Sequence, residues 1–359
     1  MKILVGLSGG VDSSVAALLL KEQGHEVIGA TMSIWGKGDF LVDPQNACKD
    51  ACYGPNEKED IEAARKIAEE IGIPYHVFDC VEQYEKIVLE NFKEEYLAGR
   101  TPNPCIRCNS LIKFDVLPFV ARQSGLEFDK FATGHYARID YDDSLQRYMI
   151  KKGINSKKDQ SYFIYRLRQD QLENIIFPLG DYTKEEIREI AKSRGLEVHD
   201  KPDSQDFYGG DYNELLGVEE KEGNIVDKNG NILGKHKGIW NYTVGQRKGI
   251  GIAAPKPLYV LALDKEKNEV IVGEEDDTFK KGLIAQNLNW VSISELNEEI
   301  KATAKIRSAQ TPVEVIVRPE GKDIYVEFLD LQKSITIGQS VVIYQDDVLL
   351  GGGVIEKVF

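Results

Sequence analysis

A glycine- and serine-rich loop near the N-terminus has the composition of a phosphate-binding site. It lies between a predicted strand, residues 2–6, and a predicted helix, residues 12–23, and it consists of Gly6, Leu7, Ser8, Gly9, Gly10, Val11, Asp12 and Ser13. Successive small residues allow backbone N–H groups to converge on an anion, and the N-terminus of the helix adds its dipole. The loop lacks the Gly-Lys-Ser/Thr ending of the Walker sequence, so it differs from the loop of the P-loop NTPases.

The residue order of this loop resembles the pyrophosphatase loop of the N-type ATP pyrophosphatases, which reads Ser-Gly-Gly-x-Asp-Ser. In enzymes with this loop, pyrophosphate leaves and AMP passes to an oxygen of the substrate. The resemblance implies ATP and Mg²⁺ as cofactors, with Asp12 helping to hold the metal. By itself the loop leaves open argininosuccinate, GMP and NAD synthetases and several tRNA-modifying enzymes.

The second reactive pattern is a Cys-x-x-Cys pair, Cys105 and Cys108, which comes after two closely spaced prolines. Because proline breaks helices, we expect the pair on a rigid loop. Such a pair can hold a metal or perform thiol chemistry, and the charges of Arg107 and Lys113 would favour the thiolate with its low pKa. A tetrahedral zinc site is less favoured, because the chain has no second compact Cys-x-x-Cys or Cys/His pair.

The elements that must position both patterns lie in the first half of the chain, where strand and helix signals alternate. The predicted strands cover residues 2–6, 25–32, 75–78 and 131–134, and the predicted helices cover residues 12–23, 60–71, 82–97 and 117–122. Hydrophobic periodicity identifies these elements, and glycine residues end two of the helices. Alternation of this kind predicts an α/β fold with a doubly wound parallel sheet.

The character of the sequence changes after about Gly209, where Gly and Asn become frequent. Lys228-Asn229-Gly230-Asn231 is a strong hairpin signal. From about residue 283 onward, short alternating runs predict a small β-barrel. We therefore expect three domains, which are a PP-loop ATP pyrophosphatase (catalytic) domain over residues 1–209, a small central β-rich domain over residues 210–280 and a C-terminal β-barrel over residues 281–359.

Six segments together resemble the tRNA-specific 2-thiouridylases, the MnmA family, along essentially the whole chain. They are residues 8–13, 99–114, 132–136, 158–163, 201–206 and 243–249. The resemblance implies an enzyme that adenylates the 2-oxygen of the wobble uridine (U34) of tRNA with ATP and replaces that oxygen by sulfur. It also implies the anticodon region of tRNA as a partner and a barrel that binds tRNA.

The same resemblance implies roles for individual residues. Met32 would pack on the adenine, Gly134 would lie by the nucleotide and Cys108 would be the nucleophile. The residues implied to lie against the target base are Asn103, Pro104 and Cys105. The residues implied to meet the rest of the tRNA are His135, Lys158, Asp159, Gln160, Arg307, Ser308 and Gln339.

The chain departs from the family pattern at the sulfur-carrying position. Many members have a second catalytic cysteine, which carries persulfide sulfur, where this chain has Tyr208. Either Cys105 and Cys108 share the work, or the sulfur arrives by another route. One candidate route is a [4Fe–4S] cluster bound by Cys105, Cys108 and a third thiolate. The candidates for that third ligand are Cys48, Cys52 and Cys80, the last of which could equally be a core residue.

The composition of the chain bears on its cellular compartment and on how it could bind RNA. Its five cysteines are an odd number, which argues against a disulfide framework, and no stretch approaches the roughly 20 apolar residues that cross a bilayer. We therefore expect a cytoplasmic protein that does not contact membranes. The net charge of −14 means that any RNA site must be a local basic patch on an acidic body.

Three questions stay open at the level of sequence. The sulfur donor could be a cysteine desulfurase, a relay protein or free sulfide. The loss of the second cysteine could have made the chain a catalytically altered RNA-binding or sulfur-relay protein. The phosphate loop alone would also suit a PP-loop synthetase that acts on a small molecule, although such an enzyme has no use for the Cys-x-x-Cys pair or for the barrel.

Overall fold

The structure is a computed structural model that describes residues 1–36, 51–200, 206–208 and 212–359. The strands up to residue 208 are β1 (Lys2–Gly6), β2 (Glu26–Ser33), β3 (Ala51–Tyr53), β4 (Tyr75–Asp79), β5 (Lys130–Ala132), β6 (Ala137–Asp142), β7 (Arg147–Lys152), β8 (Ile175–Ile176) and β9 (Asp206–Tyr208). The α-helices of this half are α1 (Val11–Glu22), α2 (Glu57–Ile71), α3 (Val81–Tyr84), α4 (Glu90–Leu97), α5 (Pro104–Arg107), α6 (Leu117–Gln123), α7 (Gln169–Leu172) and α8 (Lys184–Ser193). Two π-helical segments, Glu85–Leu89 and Cys108–Val116, and two 3₁₀ segments, Ser161–Ile164 and Glu197–Asp200, lie between them.

The first half is built on a parallel sheet with the strand order β4-β2-β1-β5-β8. Along β1, Ile3 and Val5 pack into a core with α1, α2 and α8, whereas Leu4 packs into a second core with α4 and α6. Because successive side chains of a strand point to opposite faces, helices cover the sheet on both sides. The predicted doubly wound parallel sheet is therefore confirmed.

The Cys-x-x-Cys pair lies on a helix, and the prediction of a rigid loop is wrong. Pro104 is the first residue of α5, and Asn103 Oδ1 caps this helix by accepting a hydrogen bond of 3.2 Å from the Ile106 N–H. Proline is tolerated at the first helical position because its missing N–H would have no helical partner there. The helix continues through the π-helical segment Cys108–Val116 into α6, so Cys108 stands where α geometry changes to π geometry.

The second half contains one short α-helix, α9 (Tyr212–Leu216), within its described residues, and two 3₁₀ segments, Ile239–Asn241 and Glu275–Thr278. Its strands are β10 (Gly223–Val226), β11 (Ile232–His236), β12 (Tyr259–Asp264), β13 (Glu269–Gly273), β14 (Phe279–Trp290), β15 (Ile300–Lys305), β16 (Val313–Glu320), β17 (Asp323–Lys333), β18 (Ser340–Gln345) and β19 (Val348–Val358). The central sheet has the order β11-β10-β13-β12. The predicted hairpin joins β10 to β11, with Gly230 at φ 83° in its turn.

The C-terminal strands form a closed barrel, as predicted. Their order is β14-β17-β16-β15-β18-β19, and β14 also pairs with β19, which closes the ring. The hairpin β6–β7, from the first half of the chain, extends the barrel sheet because β7 pairs with β19, with Lys151 opposite Val348. This junction joins the catalytic half to the barrel. In the part of the chain that the structure describes, no helix has the length and apolar character needed to cross a membrane.

Candidate functional site

The phosphate loop folds back on the start of α1 through its own serines. Ser13 Oγ accepts a hydrogen bond of 3.1 Å from the Ser8 N–H and donates one of 3.2 Å to the Gly10 carbonyl. Gly9 adopts φ 71°, and a Cβ there would lie 2.8 Å from the Asp60 carbonyl oxygen, so only glycine fits beside α2. Helix α1 starts directly after Gly10, and the N–H groups of a first helical turn are suited to binding an anion.

Two residues implied to lie by the nucleotide stand at the same edge of the sheet as the loop. Met32 is near the end of β2, Gly134 follows β5, and the loop follows β1. Since these strands are parallel, their carboxyl ends meet at one edge, where ligands of such sheets bind. Gly134 lies so close to α1 that a Cβ on it would be 2.7 Å from the Ser13 nitrogen. The structure brings these residues together, and their contact with ATP stays a prediction.

Asp12 is held in place by two side chains. Its Oδ1 accepts a hydrogen bond of 2.8 Å from the Tyr136 hydroxyl and one of 2.7 Å from the Lys184 ammonium group. The side chain of Asp12 is 27% exposed, whereas that of Lys184 is 7% exposed. Asp12 is thus an oriented carboxylate with access to solvent beside the phosphate loop. Carboxylate oxygen is the type of ligand that Mg²⁺ prefers, so the chemistry of this residue fits the implied metal.

Cys108 lies partly buried at the start of its π-helical segment. Burial raises the pKa of the Cys108 thiol to about 11, although the charge of Lys113 lowers that pKa. The expectation of a low-pKa thiolate is therefore wrong, because the lost solvation outweighs the nearby cation. Arg107 does not compensate, since its Nε donates a hydrogen bond to the Ile87 carbonyl. Cys108 is accordingly a neutral thiol at neutral pH.

Three cysteines act electrostatically on the buried hydroxyl group of Tyr84. The pKa of Tyr84 is held well above its ordinary value, first by burial and then by the charges of Cys108, Cys52 and Cys105. Cys80 differs from these three, because it is fully buried and its burial raises the pKa of its thiol to about 12. It therefore behaves as a core residue. Cys48, another candidate ligand, lies outside the described residues.

Tyr208, at the position where the second cysteine was expected, belongs to an aromatic cluster. It lies on β9, which pairs with β3 so that Tyr53 stands directly opposite. The ring centroid of Tyr208 is 6.1 Å from that of Tyr53 and 6.2 Å from that of Tyr212. Cys52, the residue before Tyr53, is exposed. The pairing of β3 with β9 therefore places the exposed thiol of Cys52 next to the strand on which Tyr208 replaces the second cysteine.

Lys113 links the thiol to the nucleotide edge of the sheet. Its charge acts on Cys108 and also on His135, whose pKa is held well below its ordinary value, first by burial and then by Lys113. His135 follows Gly134 in the chain, and its ring centroid lies 5.5 Å from that of Phe114 in the π-helical segment. The segment that carries Cys108 therefore packs beside the edge that carries the phosphate loop.

Two residues implied to meet tRNA are tied into the catalytic domain. The His135 side chain is buried, and its Nδ1 lies 2.8 Å from Thr133 Oγ1. Gln160 Oε1 accepts a hydrogen bond of 3.0 Å from the Tyr136 N–H. These contacts give both side chains a structural role, and their contact with tRNA stays a prediction.

Asp159 joins the catalytic half to the barrel. Its carboxylate is 5% exposed and lies 3.7 Å from the ammonium group of Lys305, which is 6% exposed. The same carboxylate accepts a hydrogen bond of 3.0 Å from the Ser161 hydroxyl, which in turn lies 3.1 Å from the Tyr344 hydroxyl. The Asp159 side chain is thus used inside the protein. A tRNA contact by Asp159 or by the neighbouring Lys158 stays a prediction.

One of the three barrel residues implied to meet tRNA, Gln339, contacts the segment before the Cys-x-x-Cys helix. Arg307 is exposed and donates a hydrogen bond to the Ser334 carbonyl, and Ser308 beside it is partly buried. Gln339 donates a hydrogen bond of 2.9 Å to the Thr101 carbonyl, just before the Cys-x-x-Cys helix. The structure brings Gln339 to the segment before that helix, and the tRNA contacts of all three residues stay predictions.

Lys184 is a site residue that sequence reasoning missed. The available signal was the capping box of Thr183 and Glu186, which marks the start of a helix and places Lys184 at its first position. Nothing in that local pattern points to Asp12, which lies 172 positions earlier. Only the packing of α8 against α1 brings the two charges together.

Models of three protein families match the chain in succession. A tRNA methyl transferase HUP domain covers residues 1–208, a tRNA methyl transferase PRC-barrel domain covers residues 216–274, and an aminomethyltransferase beta-barrel domain covers residues 280–355. Among solved structures, a 4-thiouridine synthetase–RNA complex with bound ATP aligns with 15% identity and a TM-score of 0.34, over 60% of this chain and 45% of that one. That similarity is too low to indicate a shared function.

Curated relatives match over nearly the full length. A tRNA-specific 2-thiouridylase MnmA from Endomicrobium trichonymphae is 54% identical and covers 99% of both chains. Proteins of the same name from Clostridioides difficile and Caldanaerobacter subterraneus are 46% and 48% identical, over 99% of this chain and 98% of theirs. Identity at this level over whole chains shows common descent. The chain therefore belongs to the tRNA-specific 2-thiouridylase MnmA family.

Proposed function

We propose that this protein is a tRNA uridine 2-sulfurtransferase, which uses ATP to adenylate the 2-oxygen of the wobble uridine U34 and then exchanges that oxygen for sulfur. The observation that carries the proposal is the proximity of two reactive centres. The segment Cys108–Val116 packs through Phe114 on His135, and the preceding Gly134 lies against Asp12 and Ser13 at the start of α1. A reaction that first adenylates a base and then thiolates it requires both centres next to one target. The names of the full-length relatives support the same activity.

In the first step, the uridine 2-oxygen attacks the α-phosphorus of ATP and the bond to pyrophosphate breaks. The N–H groups at the start of α1 bind the phosphates and stabilise the developing charge. Asp12 would hold Mg²⁺, which when bound neutralises charge on the phosphate oxygens. Met32 would pack on the adenine, and Gly134, which packs against the backbone of Asp12 and Ser13, would lie by the nucleotide.

The thiols that the structure describes do not form a set of ligands for an iron–sulfur cluster. Such a cluster needs several cysteines that converge on one point. In the described part of the chain, no three His, Cys, Asp or Glu side chains converge in this way. Cys80 belongs to the core, and Cys48 lies outside the described residues. The sulfur route proposed next therefore uses thiols alone.

The second step uses Cys52 and Cys108. A donor that supplies sulfane sulfur, such as a cysteine desulfurase or a relay protein, can reach the exposed Cys52 and convert it to a persulfide. The outer sulfur attacks C2 of the base and AMP leaves. Cys108 then attacks the inner sulfur, so that 2-thiouridine departs and a Cys52–Cys108 disulfide forms. The proton of the Cys108 thiol passes to N3 of the base, and an external dithiol restores both cysteines.

The tRNA must place its wobble uridine beside the phosphate loop and the thiols, although the net charge of −14 on the protein repels the tRNA phosphates. Extrusion of a base from its stack costs a few kcal/mol, so binding by the rest of the tRNA has to compensate. Arg307 of the barrel is exposed and suits a phosphate contact. The odd number of cysteines in the sequence argues against a disulfide framework, and the cytoplasm is the compartment we propose.

The test is mass spectrometry of nucleosides from unmodified tRNA that has a wobble uridine. The tRNA is incubated with ATP, Mg²⁺, a persulfide donor and metal-free protein, either wild type or with Cys108→Ala, Cys52→Ala or Cys105→Ala. We expect 2-thiouridine from the wild type and from the Cys105 variant, and none from the other two. Loss with Cys105→Ala but not with Cys52→Ala would make Cys105 the partner thiol.

Two further outcomes would change the proposal. If only anaerobically iron-reconstituted protein forms 2-thiouridine, the thiol route is wrong. If no tRNA-dependent conversion of ATP to AMP occurs, the sulfurtransferase proposal fails, and an RNA-binding or sulfur-relay protein replaces it. Conversion of ATP to AMP without tRNA would instead indicate a synthetase that acts on a small molecule.

A further inference from the structure

We propose that Lys184 binds the triphosphate of ATP during adenylation and is a further catalytic residue of this site. The inference deepens the proposed function and rests on it for the identity of the nucleotide. Two independent features support it, which are the contact of Lys184 with Asp12 and the unfavourable position of a lysine at the start of α8.

The first feature is the place of the ammonium group. Lys184 Nζ lies 2.7 Å from Asp12 Oδ1, and Asp12 belongs to the first turn of α1, directly after the phosphate loop. The side chain of Lys184 is 7% exposed, so solvent screens its charge only weakly. A phosphate bound at the N-terminus of α1 would therefore lie close to a cation with little access to water.

The second feature is electrostatic. Lys184 is the first residue of α8, where the helix dipole is positive and disfavours a cation. The next two residues, Glu185 and Glu186, have the charge that such a position favours. Burial of the ammonium group adds a desolvation cost to the unfavourable dipole. The Asp12 carboxylate offsets these costs in the structure, and a bound phosphate would stabilise the ammonium group further.

The position of Lys184 is also rigid. The Thr183 hydroxyl accepts a hydrogen bond of 3.2 Å from the Glu186 N–H, and the Glu186 carboxylate accepts one of 2.7 Å from the Thr183 N–H, so the helix start is fixed. Further along α8, Ile187 packs in the same core as Val15 of α1. The packing of α8 on α1 therefore fixes the backbone of Lys184 relative to the phosphate loop. Preorganised charges of this kind stabilise a transition state without reorganisation.

A division of labour between the two partners follows. The Asp12 carboxylate suits a metal ion, and the Lys184 ammonium group suits a phosphate oxygen. An ammonium group with little access to water gains strongly from an additional anion, because its charge is poorly screened. Negative charge develops on the departing pyrophosphate as its bond to the α-phosphorus breaks, and Lys184 stands where it can offset that charge.

The experiment measures ATP affinity of the full-length protein without tRNA, by isothermal titration calorimetry, with Mg²⁺ and separately in EDTA. The variants are Lys184→Met and Lys184→Gln, with Lys192→Met, an exposed lysine on the same helix, as the matched control. We expect both Lys184 variants to bind ATP about 10- to 100-fold more weakly in both buffers, as the loss of one charge-assisted hydrogen bond predicts. The control should bind as the wild type does.

The outcomes separate a phosphate ligand from a structural residue. Unchanged ATP affinity with a lowered melting temperature would overturn the inference, because Lys184 would then only stabilise the fold. A loss confined to the Mg²⁺ buffer would overturn it too, since Lys184 would only orient Asp12. Should Lys184→Met not fold, Lys184→Gln decides the question. ATP binding is measured here without tRNA or a sulfur donor. If the wild type fails to thiolate tRNA, the proposed function is wrong, but the effect of Lys184 on ATP affinity is still measured.

Discussion

Gln339 of the C-terminal barrel donates hydrogen bonds to the backbone carbonyls of Thr101, at 2.9 Å, and of the adjoining Pro102, at 3.2 Å. These carbonyls come just before Asn103, which caps the helix that carries Cys105 and Cys108. The barrel therefore helps to hold the helix that carries the two thiols. This contact makes the position of the thiols depend on a distant part of the chain.

Substitution of Gln339 by Ala should slow thiolation more than it weakens tRNA binding. The loss of two hydrogen bonds to the segment before Asn103 would loosen the helix start, at a cost of about 1–3 kcal/mol. Single-turnover formation of 2-thiouridine and the tRNA Kd check this expectation, with the exposed Gln345→Ala as the control. A large rise in Kd at an unchanged rate would instead indicate a direct tRNA contact.

Removal of the Asp159 charge should destabilise the junction between the catalytic half and the barrel. Asp159→Asn leaves the buried ammonium group of Lys305 without its carboxylate, which costs about 3–5 kcal/mol in comparable sites. Urea unfolding measures the loss. The double variant Asp159→Asn, Lys305→Met should recover part of it, because no buried charge is left unpaired. Additive effects of the two substitutions would show that the side chains do not interact.

Cys108 should react slowly with iodoacetamide at pH 8, since its pKa is raised to about 11 by burial. Its alkylation rate should rise steeply as the pH approaches 11, and Lys113→Met should lower the rate at each pH, because Lys113 lowers this pKa. Peptide mass spectrometry follows the reaction, with the exposed Lys66→Met as the control. Fast alkylation of Cys108 at pH 7 would contradict the structure.

The same shift has a consequence for stability. A thiol whose folded-state pKa is above its unfolded-state value favours the folded state below the unfolded pKa, which is near 9. That contribution should disappear as the pH rises from about 9 to about 11. Melting temperatures of the wild type and of Cys108→Ala should therefore converge toward alkaline pH.

His135 should make the protein sensitive to acid. Burial, and then the charge of Lys113, hold the pKa of His135 well below its ordinary value, so the folded state favours the neutral ring. This stabilisation is present above the unfolded pKa of about 6.5 and is lost as the pH falls below it. Melting temperatures between pH 8 and pH 5 should fall less for His135→Gln than for the wild type. His76→Gln, at an exposed histidine, should follow the wild type.

Local sequence determined much of this protein. The alternation of strands and helices, the Gly-rich loop after β1, the hairpin at Gly230 and the barrel strands all follow from periodicity and turn residues, which act over a few positions. The identity of the phosphate loop and of the Cys-x-x-Cys pair follows from residue types alone. The position of that pair was predicted wrongly, because Pro104 at the first position of α5 begins a helix instead of preventing one.

Only the tertiary structure decided how these parts meet. The contact of Lys184 with Asp12, the clamp of Gln339 and the placement of β3 beside β9 join residues that are far apart in the chain, and no local pattern encodes such pairs. The pKa of Cys108 is also a result of the tertiary structure. The sequence places Lys113 five residues away and suggests a thiolate, but burial opposes that charge, and burial depends on the packing of the whole molecule.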